Sequence, residues 1–139
     1  MNLYLDLFKF RIKFSFAFYR KRDTWTRGYM NRTKDGFYTF MLDYDCMRPE
    51  WIEGELIRLQ SIYDLGDIIL NKSSEKGFHA RSSVKLTAKD FVEIMNNSSC
   101  DSAFKNLPRF MSWRNWVLRD EAKGKTPAPE YIKTIKSKE

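Results

Sequence analysis

The stretch Phe37-Tyr38-Thr39-Phe40-Met41-Leu42, followed at once by Asp43-Tyr44-Asp45, decides the fold of this chain. Aromatic residues and threonine favour β-structure, and a largely apolar run is typical of a strand in the centre of a sheet. The preceding Thr33-Lys34-Asp35-Gly36 contains Asp-Gly, a strong signal for the turn of a β-hairpin. We therefore predict two paired strands, over Thr24–Asn31 and Gly36–Tyr44.

Another β-pattern lies upstream, from Phe8 to Phe18, where apolar residues occupy the even positions. Such alternation predicts a strand with two unlike faces, so that Lys9, Arg11 and Lys13 form a row on the face opposite the apolar side chains. The row has a spacing of about 7 Å, comparable to that of phosphates along a nucleic-acid strand. We expect this strand to open the sheet as the first of three antiparallel strands and to bind nucleic acid.

Downstream of residue 45, apolar spacing and capping signals predict further helices and strands. Pro49 suits the first turn of a helix, and Thr87 followed by Asp90 resembles a capping box. The predicted elements are a helix over Glu50–Leu65, a strand pair over Asp67–Asn71 and Phe78–Leu86, a short helix from Thr87 through Met95, a helical turn or two over Cys100–Asn106 and a last strand over Arg109–Arg119.

The order βββ-α-ββ-α-β predicts an α+β fold with a mainly antiparallel sheet and helices on one face. Its second half fits a split βαβ arrangement of the RRM or ferredoxin-like kind, a palm with an N-terminal β-extension. One domain is expected over residues 1–122. Residues 123–139 are rich in Lys, Gly, Pro and Glu, which predicts a loosely held basic tail with a short helix near Glu130–Ile135.

Composition restricts the function classes. The 139 residues carry a net charge of +7, placed unevenly: residues 1–34 and 109–139 are basic and the middle is acidic, an asymmetry that favours binding to a polyanion. Two cysteines and one histidine give no support for a disulfide framework or a zinc site. Charges interrupt the apolar N-terminus, and no phosphate-binding glycine loop occurs, so we expect a cytoplasmic protein that has no membrane span and is not an ATPase.

Asp43 and Asp45 are the first candidate for chemistry. Residues at i and i+2 of a strand project from the same face, and two adjacent carboxylates repel unless a cation neutralises them. Mg²⁺ held by one or two carboxylates and substrate phosphates is common in phosphoryl transfer. The alternative is that the pair caps a helix or lies in water.

His79 is the second candidate, because it follows Ser73-Ser74-Glu75-Lys76-Gly77-Phe78 at the tip of a predicted hairpin. A glycine and a cation beside an imidazole suit a loop that approaches phosphate closely. The alternative is a surface histidine on an ordinary hairpin.

Leu42-Asp43-Tyr44-Asp45, one helix, and then Ser74-Glu75-Lys76-Gly77-Phe78-His79 entering a strand resemble the first two motifs of the archaeo-eukaryotic primase superfamily. The resemblance covers roughly residues 37–85. It implies that Asp43 and Asp45 bind Mg²⁺ or Mn²⁺, and that Ser74, Lys76, Gly77 and His79 contact the phosphates of an incoming nucleoside triphosphate.

The family also carries a third carboxylate on a later strand, and its counterpart here is Asp120 in Leu118-Arg119-Asp120. Glu75 stands where many members have glycine. The chain is shorter than most active members and lacks the zinc cysteines that many carry, so the resemblance implies a minimal or degenerate palm.

The predicted last strand interleaves aromatic rings with guanidinium groups, the mixture that stacking on bases and contact with phosphate require. Tryptophan and arginine also suit the edge of a core. The residues expected to bind nucleic acid are Lys9, Arg11, Lys13, Trp113, Arg114, Trp116 and Arg119.

These features together predict a primase-like, metal-dependent nucleotidyl-transfer domain of a viral or plasmid replication protein. Its expected partners are DNA or RNA, single-stranded, a nucleoside triphosphate and other replication proteins. Two alternatives stay open: a non-catalytic module that binds single-stranded nucleic acid, and a structural component of a nucleoprotein.

Overall fold

The computed structural model describes residues 2–7, 10–15, 28–110 and 116–137, with side chains over 28–106 and 116–137. Within these ranges the fold is α+β, and all strand pairs are antiparallel. In chain order the elements are β1 (Asn2–Leu7), β2 (Phe10–Ser15), β3 (Gly28–Met30), β4 (Tyr38–Asp45), α1 (Pro49–Tyr63), β5 (Ile68–Lys72), β6 (Gly77–Leu86), α2 (Ala88–Asn97), α3 (Ser102–Phe110), β7 (Val117–Arg119) and β8 (Glu130–Ile135).

The largest sheet has four strands in the order β4-β6-β5-β8. Since β4 and β5 each pair antiparallel with β6, they run in the same direction on either side of it, and α1 connects them. Asp43 lies opposite His79 in the ladder between β4 and β6, and Asp45 lies opposite Gly77. Asp43 and His79 are 36 residues apart in the sequence, and this register makes them neighbours in the sheet.

The helices cover one face of this sheet. Phe40, Leu42 and Tyr44 alternate along β4 and are fully buried on that face. The Tyr44 hydroxyl donates to Glu55 Oε1 of α1 at 2.9 Å, and the Tyr38 ring stacks on Phe91 of α2 with centroids 5.5 Å apart. The core therefore lies between β4 and these two helices.

Both helices predicted around this core are confirmed. Ile52, Leu56 and Leu59 of α1 are fully buried, as their helical spacing predicts. The helix ends at Asp64, whose φ of 47° places it in the left-handed region. The predicted N-cap of α2 also forms, since the Asp90 backbone N–H donates to Thr87 Oγ1 at 3.2 Å and the Thr87 hydroxyl donates to Asp90 Oδ2 at 2.7 Å.

The predicted hairpin at Asp35-Gly36 forms, since Arg32 bridges Tyr38 in the antiparallel sense and the Thr33 N–H donates to Phe37 O at 2.9 Å. The prediction that β4 is the central strand of the sheet is wrong. β4 is an outer strand of the four-stranded sheet, while β3 pairs with β7 in a separate two-stranded sheet. Its outer edge is nevertheless covered: the Thr39 N–H donates to Asn31 O at 2.7 Å, and the Asp101 N–H donates to Asp43 O at 2.7 Å. These partners satisfy backbone groups that an open edge would expose.

The predicted N-terminal strand is confirmed over Phe10–Ser15, where β2 pairs with β1 rather than with the strand that follows it. Arg11 lies opposite Asp6 in this ladder, and Lys13 lies opposite Tyr4. The remaining parts of the predicted strand, residues 8–9 and 16–18, lie outside the described residues, and Lys9 is among them.

The C-terminal third departs most from the sequence prediction. The strand predicted over Arg109–Arg119 is wrong at its start, because α3 continues through Phe110, and β7 begins only at Val117. Likewise Glu130–Ile135 forms a strand, neither a helix nor part of a loose tail, and it pairs with β5. Its β-branched residues and the buried Ile135 outweigh the surrounding Lys and Pro.

Candidate functional site

The face of the four-stranded sheet opposite the helices carries the polar groups that the sequence singled out. Asp43 and Asp45 alternate with the core residues Leu42 and Tyr44 of β4, and therefore project from this other face. His79 and Arg81 of β6 lie opposite Asp43 and Met41. We call this surface the open face.

Asp43 and His79 are neighbours on the open face but do not hydrogen-bond to each other. Their closest approach is 3.6 Å, between His79 Nε2 and Asp43 Oδ1, which exceeds the length of a hydrogen bond. The side chains differ in exposure, at 8% for His79 and 27% for Asp43. The carboxylate is thus the more accessible of the two.

The environment of Asp43 opposes its ionisation. Burial, followed by repulsion from Asp45 and Asp101, raises the pKa of Asp43 from 3.8 to about 6, although the nearby Arg119 acts in the opposite direction. At neutral pH Asp43 is ionised at a cost in free energy. A bound cation would relieve both the repulsion and part of that cost.

His79 is displaced in the opposite direction. Burial, followed by the positive charge of Arg119, lowers the pKa of His79 from 6.5 to about 4, while a hydrogen bond with the Arg119 backbone raises it slightly. When Asp43 is ionised, above about pH 6, His79 is therefore neutral. At neutral pH the contact therefore joins a carboxylate to a neutral imidazole that is largely buried.

The turn between β5 and β6 closes against Asp45. The backbone N–H groups of Ser73 and Ser74 donate to Gly77 O at 2.9 and 3.3 Å. A Cβ added at Gly77 would lie 2.6 Å from Ser74 Oγ, 2.8 Å from Ser73 Oγ and 2.9 Å from Asp45 Oδ1. A larger residue at position 77 would displace these three side-chain ends, so glycine lets two hydroxyls and a carboxylate converge here.

Lys76 lies in the same turn and is exposed. Its carbonyl oxygen accepts a hydrogen bond from the Cys46 N–H at 2.9 Å, which ties the turn to the residue that follows Asp45. Ser74, Lys76 and Gly77 thus lie in a turn beside Asp45 and Cys46, and their binding of phosphate stays a prediction.

Arg119 and Asp120 meet His79 at a small cavity of about 70 Å³, which Asn71 also lines. The Arg119 guanidinium is held by the loop that follows β7, since Nη1 donates to Glu121 O at 2.9 Å and to Pro127 O at 2.5 Å. Asp120 therefore lies beside His79, close to the site.

The three predicted carboxylates do not converge on one point. Within the part of the chain that the structure describes, no group of three His, Cys, Asp or Glu side chains is close enough to hold a metal ion. The available donor set is a pair of carboxylates, Asp43 and Asp45. This set suits Mg²⁺ or Mn²⁺ better than zinc, because Mg²⁺ commonly takes one or two carboxylates and completes its shell with water and phosphate oxygens.

Asp101 is a member of the site that the sequence reasoning missed. Its charge raises the pKa of Asp43, and its backbone N–H donates to Asp43 O. The Asp101 carboxylate is occupied locally, since Oδ2 accepts from the Phe104 N–H at 2.9 Å at the start of α3. An Asp three residues before Phe104 is an N-cap signal, so sequence could have located its helix but not its proximity to Asp43.

Arg81 and Tyr29 extend the open face beyond His79. The Arg81 guanidinium carbon lies 4.1 Å from the centroid of the Tyr29 ring. Both line a groove of about 490 Å³ that runs across the face to Ile69 and Thr134. An arginine stacked on an exposed tyrosine is a surface suited to nucleobases and phosphates.

The residues predicted to bind nucleic acid are dispersed. Trp116 packs against the core, where its ring meets Phe91 at 5.0 Å and Nε1 donates to Phe104 O at 3.0 Å, a position that does not favour stacking on bases. The positive charge of Arg119 acts on the site by lowering the pKa of Asp43 and of His79. Trp113 and Arg114 lie outside the described residues, and the role of Arg11 and Lys13 stays a prediction.

Comparison with protein-family models, with curated proteins and with solved structures finds no match to this chain. Among the helices of the described ranges, none has the length and apolar character needed to cross a membrane.

Proposed function

We propose that this chain is a primase-like palm that binds a nucleoside triphosphate with Mg²⁺ or Mn²⁺ on its open face and takes part in nucleotidyl transfer. The observation that carries the proposal is the register of β4 against β6, which places Asp43 opposite His79 and Asp45 opposite Gly77. The residues that the sequence motifs nominate separately are thereby neighbours.

Asp43 and Asp45 hold the cation in this proposal. The fit rests on the raised pKa of Asp43, since two ionised carboxylates near Asp101 repel one another and divalent charge offsets that repulsion. When bound, the cation polarises the α-phosphate and favours deprotonation of the attacking hydroxyl. Asp120, beside His79, supplies a further acid at the margin of the site.

The turn from Ser73 to Gly77 faces the triphosphate. Ser74 Oγ lies next to Asp45, Lys76 is exposed, and neutral His79 can donate to a phosphate oxygen without adding charge. Gly77 permits close approach of the backbone. These groups orient phosphates while the carboxylates hold the metal.

The chain order of the palm supports the same proposal. β4, α1, β5 and β6 form a unit in which two strands of equal direction flank a third, as a split βαβ arrangement requires. The carboxylates lie at the end of its first strand. Fold alone does not determine activity, so the proposal rests on the side chains of the site.

Calorimetry with Mn²⁺ tests the metal site. We expect wild-type protein to give a binding heat that Asp43→Asn abolishes, and an affinity that weakens as pH falls through about 6, because protons compete for Asp43. Asp35→Asn is the matched control, since it removes the same charge from the turn before β4, where Asp35 makes exposed contacts with Lys85 and Thr33. A wild-type heat that Asp43→Asn leaves unchanged contradicts the proposal.

A non-catalytic module for single-stranded nucleic acid is the second candidate. The Arg81–Tyr29 contact on the open face favours it, because stacking and charge there need no metal. Incubation with Mn²⁺, labelled nucleoside triphosphates and a single-stranded template separates the two. Product formation that Asp43→Asn removes supports the palm, whereas Mn²⁺-independent binding without product supports the module.

A further inference from the structure

A second polar groove lies on the other side of the carboxylate pair. A cavity of about 520 Å³ is lined by Arg48, Lys72, Glu75, Lys76 and Phe78, together with the chain from Cys46 to Pro49. A neighbouring cavity of about 450 Å³ shares Cys46, Met47 and Arg48 and reaches Trp51. We call the two together the Trp51 groove.

The charge of this groove is unbalanced. Arg48, Lys72 and Lys76 line it against a single acid, Glu75, and none of the three forms an ion pair with a described residue. Three other lysines of the described residues are paired with acids: Lys85 with Asp35, Lys133 with Glu53 and Lys136 with Asp67. The groove thus concentrates positive charge in a region of the sequence that is acidic on average.

Trp51 supplies an exposed aromatic surface at the end of the groove. Its exposed fraction is 69%, the highest of the large hydrophobic residues in the described ranges. The core stripe of α1 begins at the adjacent Ile52, so Trp51 projects from the helix away from the core. Tryptophan beside cations at this level of exposure is typical of surfaces on which bases stack.

We infer that the Trp51 groove binds single-stranded nucleic acid, with a base stacked on Trp51 and the phosphodiester backbone held by Arg48, Lys72 and Lys76. The inference deepens the proposed function. It rests on that function only in assuming that the bound nucleic-acid strand is the one on which nucleotidyl transfer takes place. Cys46 follows Asp45 directly, and its N–H is bonded to Lys76 O, so the groove begins where the carboxylate pair ends.

The shape of the groove favours a strand over a free nucleotide. Sites for small ligands bury most of the ligand surface, whereas Trp51 lies largely in solvent. The three cations also come from separate segments: Arg48 precedes α1, Lys72 ends β5, and Lys76 lies in the turn before β6. Such a spread suits a backbone that crosses several segments.

Fluorescence anisotropy with a dye-labelled oligo(dT), in EDTA to remove divalent cations, tests the stacking contact. We expect Trp51→Ala to weaken binding by roughly tenfold, because stacking contributes about 1–3 kcal/mol per base. Ile62→Ala is the matched control, as it truncates another side chain of α1 that is 58% exposed. Equal affinity of Trp51→Ala and wild-type protein overturns the inference.

The charge contribution is tested separately with the double variant Arg48→Gln, Lys72→Gln. Loss of two phosphate contacts lowers the slope of log affinity against log salt by about 1.4 for a single strand. Lys89→Gln with Lys105→Gln, on α2 and α3, changes the same total charge away from the groove and is expected to leave the slope near that of wild type. A slope unchanged in the groove variant contradicts the assignment of the phosphates.

Asp43→Asn separates the two proposals. In EDTA the groove needs no metal, so this variant is expected to bind oligo(dT) at least as tightly as wild type. Absence of a Mn²⁺ heat together with Trp51-dependent binding defeats the palm and leaves the groove standing. The converse result, a Mn²⁺ heat without an effect of Trp51→Ala, defeats the groove alone.

Discussion

The polar side chains on the two faces of β4 differ in their hydrogen bonding. On the core face, the Tyr44 hydroxyl is buried and donates to Glu55 Oε1 at 2.9 Å, and the same oxygen accepts from the Ser99 N–H at 2.8 Å. On the open face, Asp43 lies 3.6 Å from His79 without a hydrogen bond between them. One face of the strand therefore carries a buried hydroxyl that is bonded to its neighbour, and the other carries a partly exposed carboxylate that makes no hydrogen bond with the histidine beside it.

The electrostatics follow the same division. Burial and the charge of Glu55 raise the pKa of Tyr44 well above its ordinary value, so the hydroxyl stays a donor and its bond persists. Asp43 and His79 are shifted in opposite directions, and each is left in the form that suits a ligand: an anion and a neutral imidazole at pH 7. The core face therefore favours stability, whereas ionisation of Asp43 on the open face costs stability at neutral pH.

The largest effect is expected from adjacent residues of β4 that face opposite ways. Leu42→Ala should lower the free energy of unfolding by about 2–5 kcal/mol, because Leu42 is fully buried and its truncation leaves a cavity. Asp43→Asn should raise that free energy at pH 7, since the amide avoids the cost of an ionised, partly buried carboxylate. Urea unfolding followed by tryptophan fluorescence measures both.

The sign of the Asp43 result is the sharper part of this prediction. An Asp43→Asn variant less stable than wild type at pH 7 indicates that the carboxylate holds the fold together, and the contrast between the faces then fails. Asp35→Asn controls for the loss of one negative charge, and its effect should stay within about 1 kcal/mol because its ion pair is exposed.

The opposite pKa shifts give the next effect, a pH dependence that cancels in the wild type. Asp43, with its pKa raised from 3.8 to about 6, contributes stability below its unfolded pKa and loses it as pH rises through 6. His79, with its pKa lowered from 6.5 to about 4, contributes stability above its unfolded pKa and loses it as pH falls through 4. The two contributions oppose each other between about pH 4 and 6.

Single variants should expose each contribution. Asp43→Asn leaves His79 alone, so stability should fall with decreasing pH, by at most about 1.4 kcal/mol per unit. His79→Gln leaves Asp43 alone, and stability should then rise as pH decreases over the same window. Urea midpoints measured across that window decide the matter, and slopes of equal sign in the two variants refute the opposed shifts.

The sequence predicted those parts of the fold that depend on local signals. The apolar stripe of α1 and the N-cap of α2 are confirmed because helix periodicity and N-caps act within a few residues. The pairing of β3 with β7 and the strand over Glu130–Ile135 were missed, since both depend on partners far away in the chain. Such strand pairs form through contacts between distant parts of the chain, and local amino-acid composition does not reveal them.

The site was predictable to a similar extent. The shared face of Asp43 and Asp45 follows from the two-residue period of a strand. The position of His79 opposite Asp43 does not, because the register of β6 against β4 shifts between Thr39 and Met41. A change of register by one residue moves every side chain to the other face. The register itself is fixed only when the whole sheet packs against the core.

Tyr44→Phe gives the smallest effect and tests whether the core face is as well satisfied as its geometry indicates. Removal of the hydroxyl should lower the free energy of unfolding by about 1 kcal/mol, because one hydrogen bond is lost while Glu55 Oε1 keeps the Ser99 N–H. Tyr63→Phe is the control: its exposed hydroxyl donates to Glu93 Oε1 at 3.1 Å and accepts from Asn97 Nδ2 at 2.8 Å, and its loss should matter less because water can replace it at both partners. Urea unfolding that ranks the two variants in the reverse order indicates that the Tyr44 bond contributes no more than a surface contact, and that satisfied polar groups do not distinguish the two faces of β4.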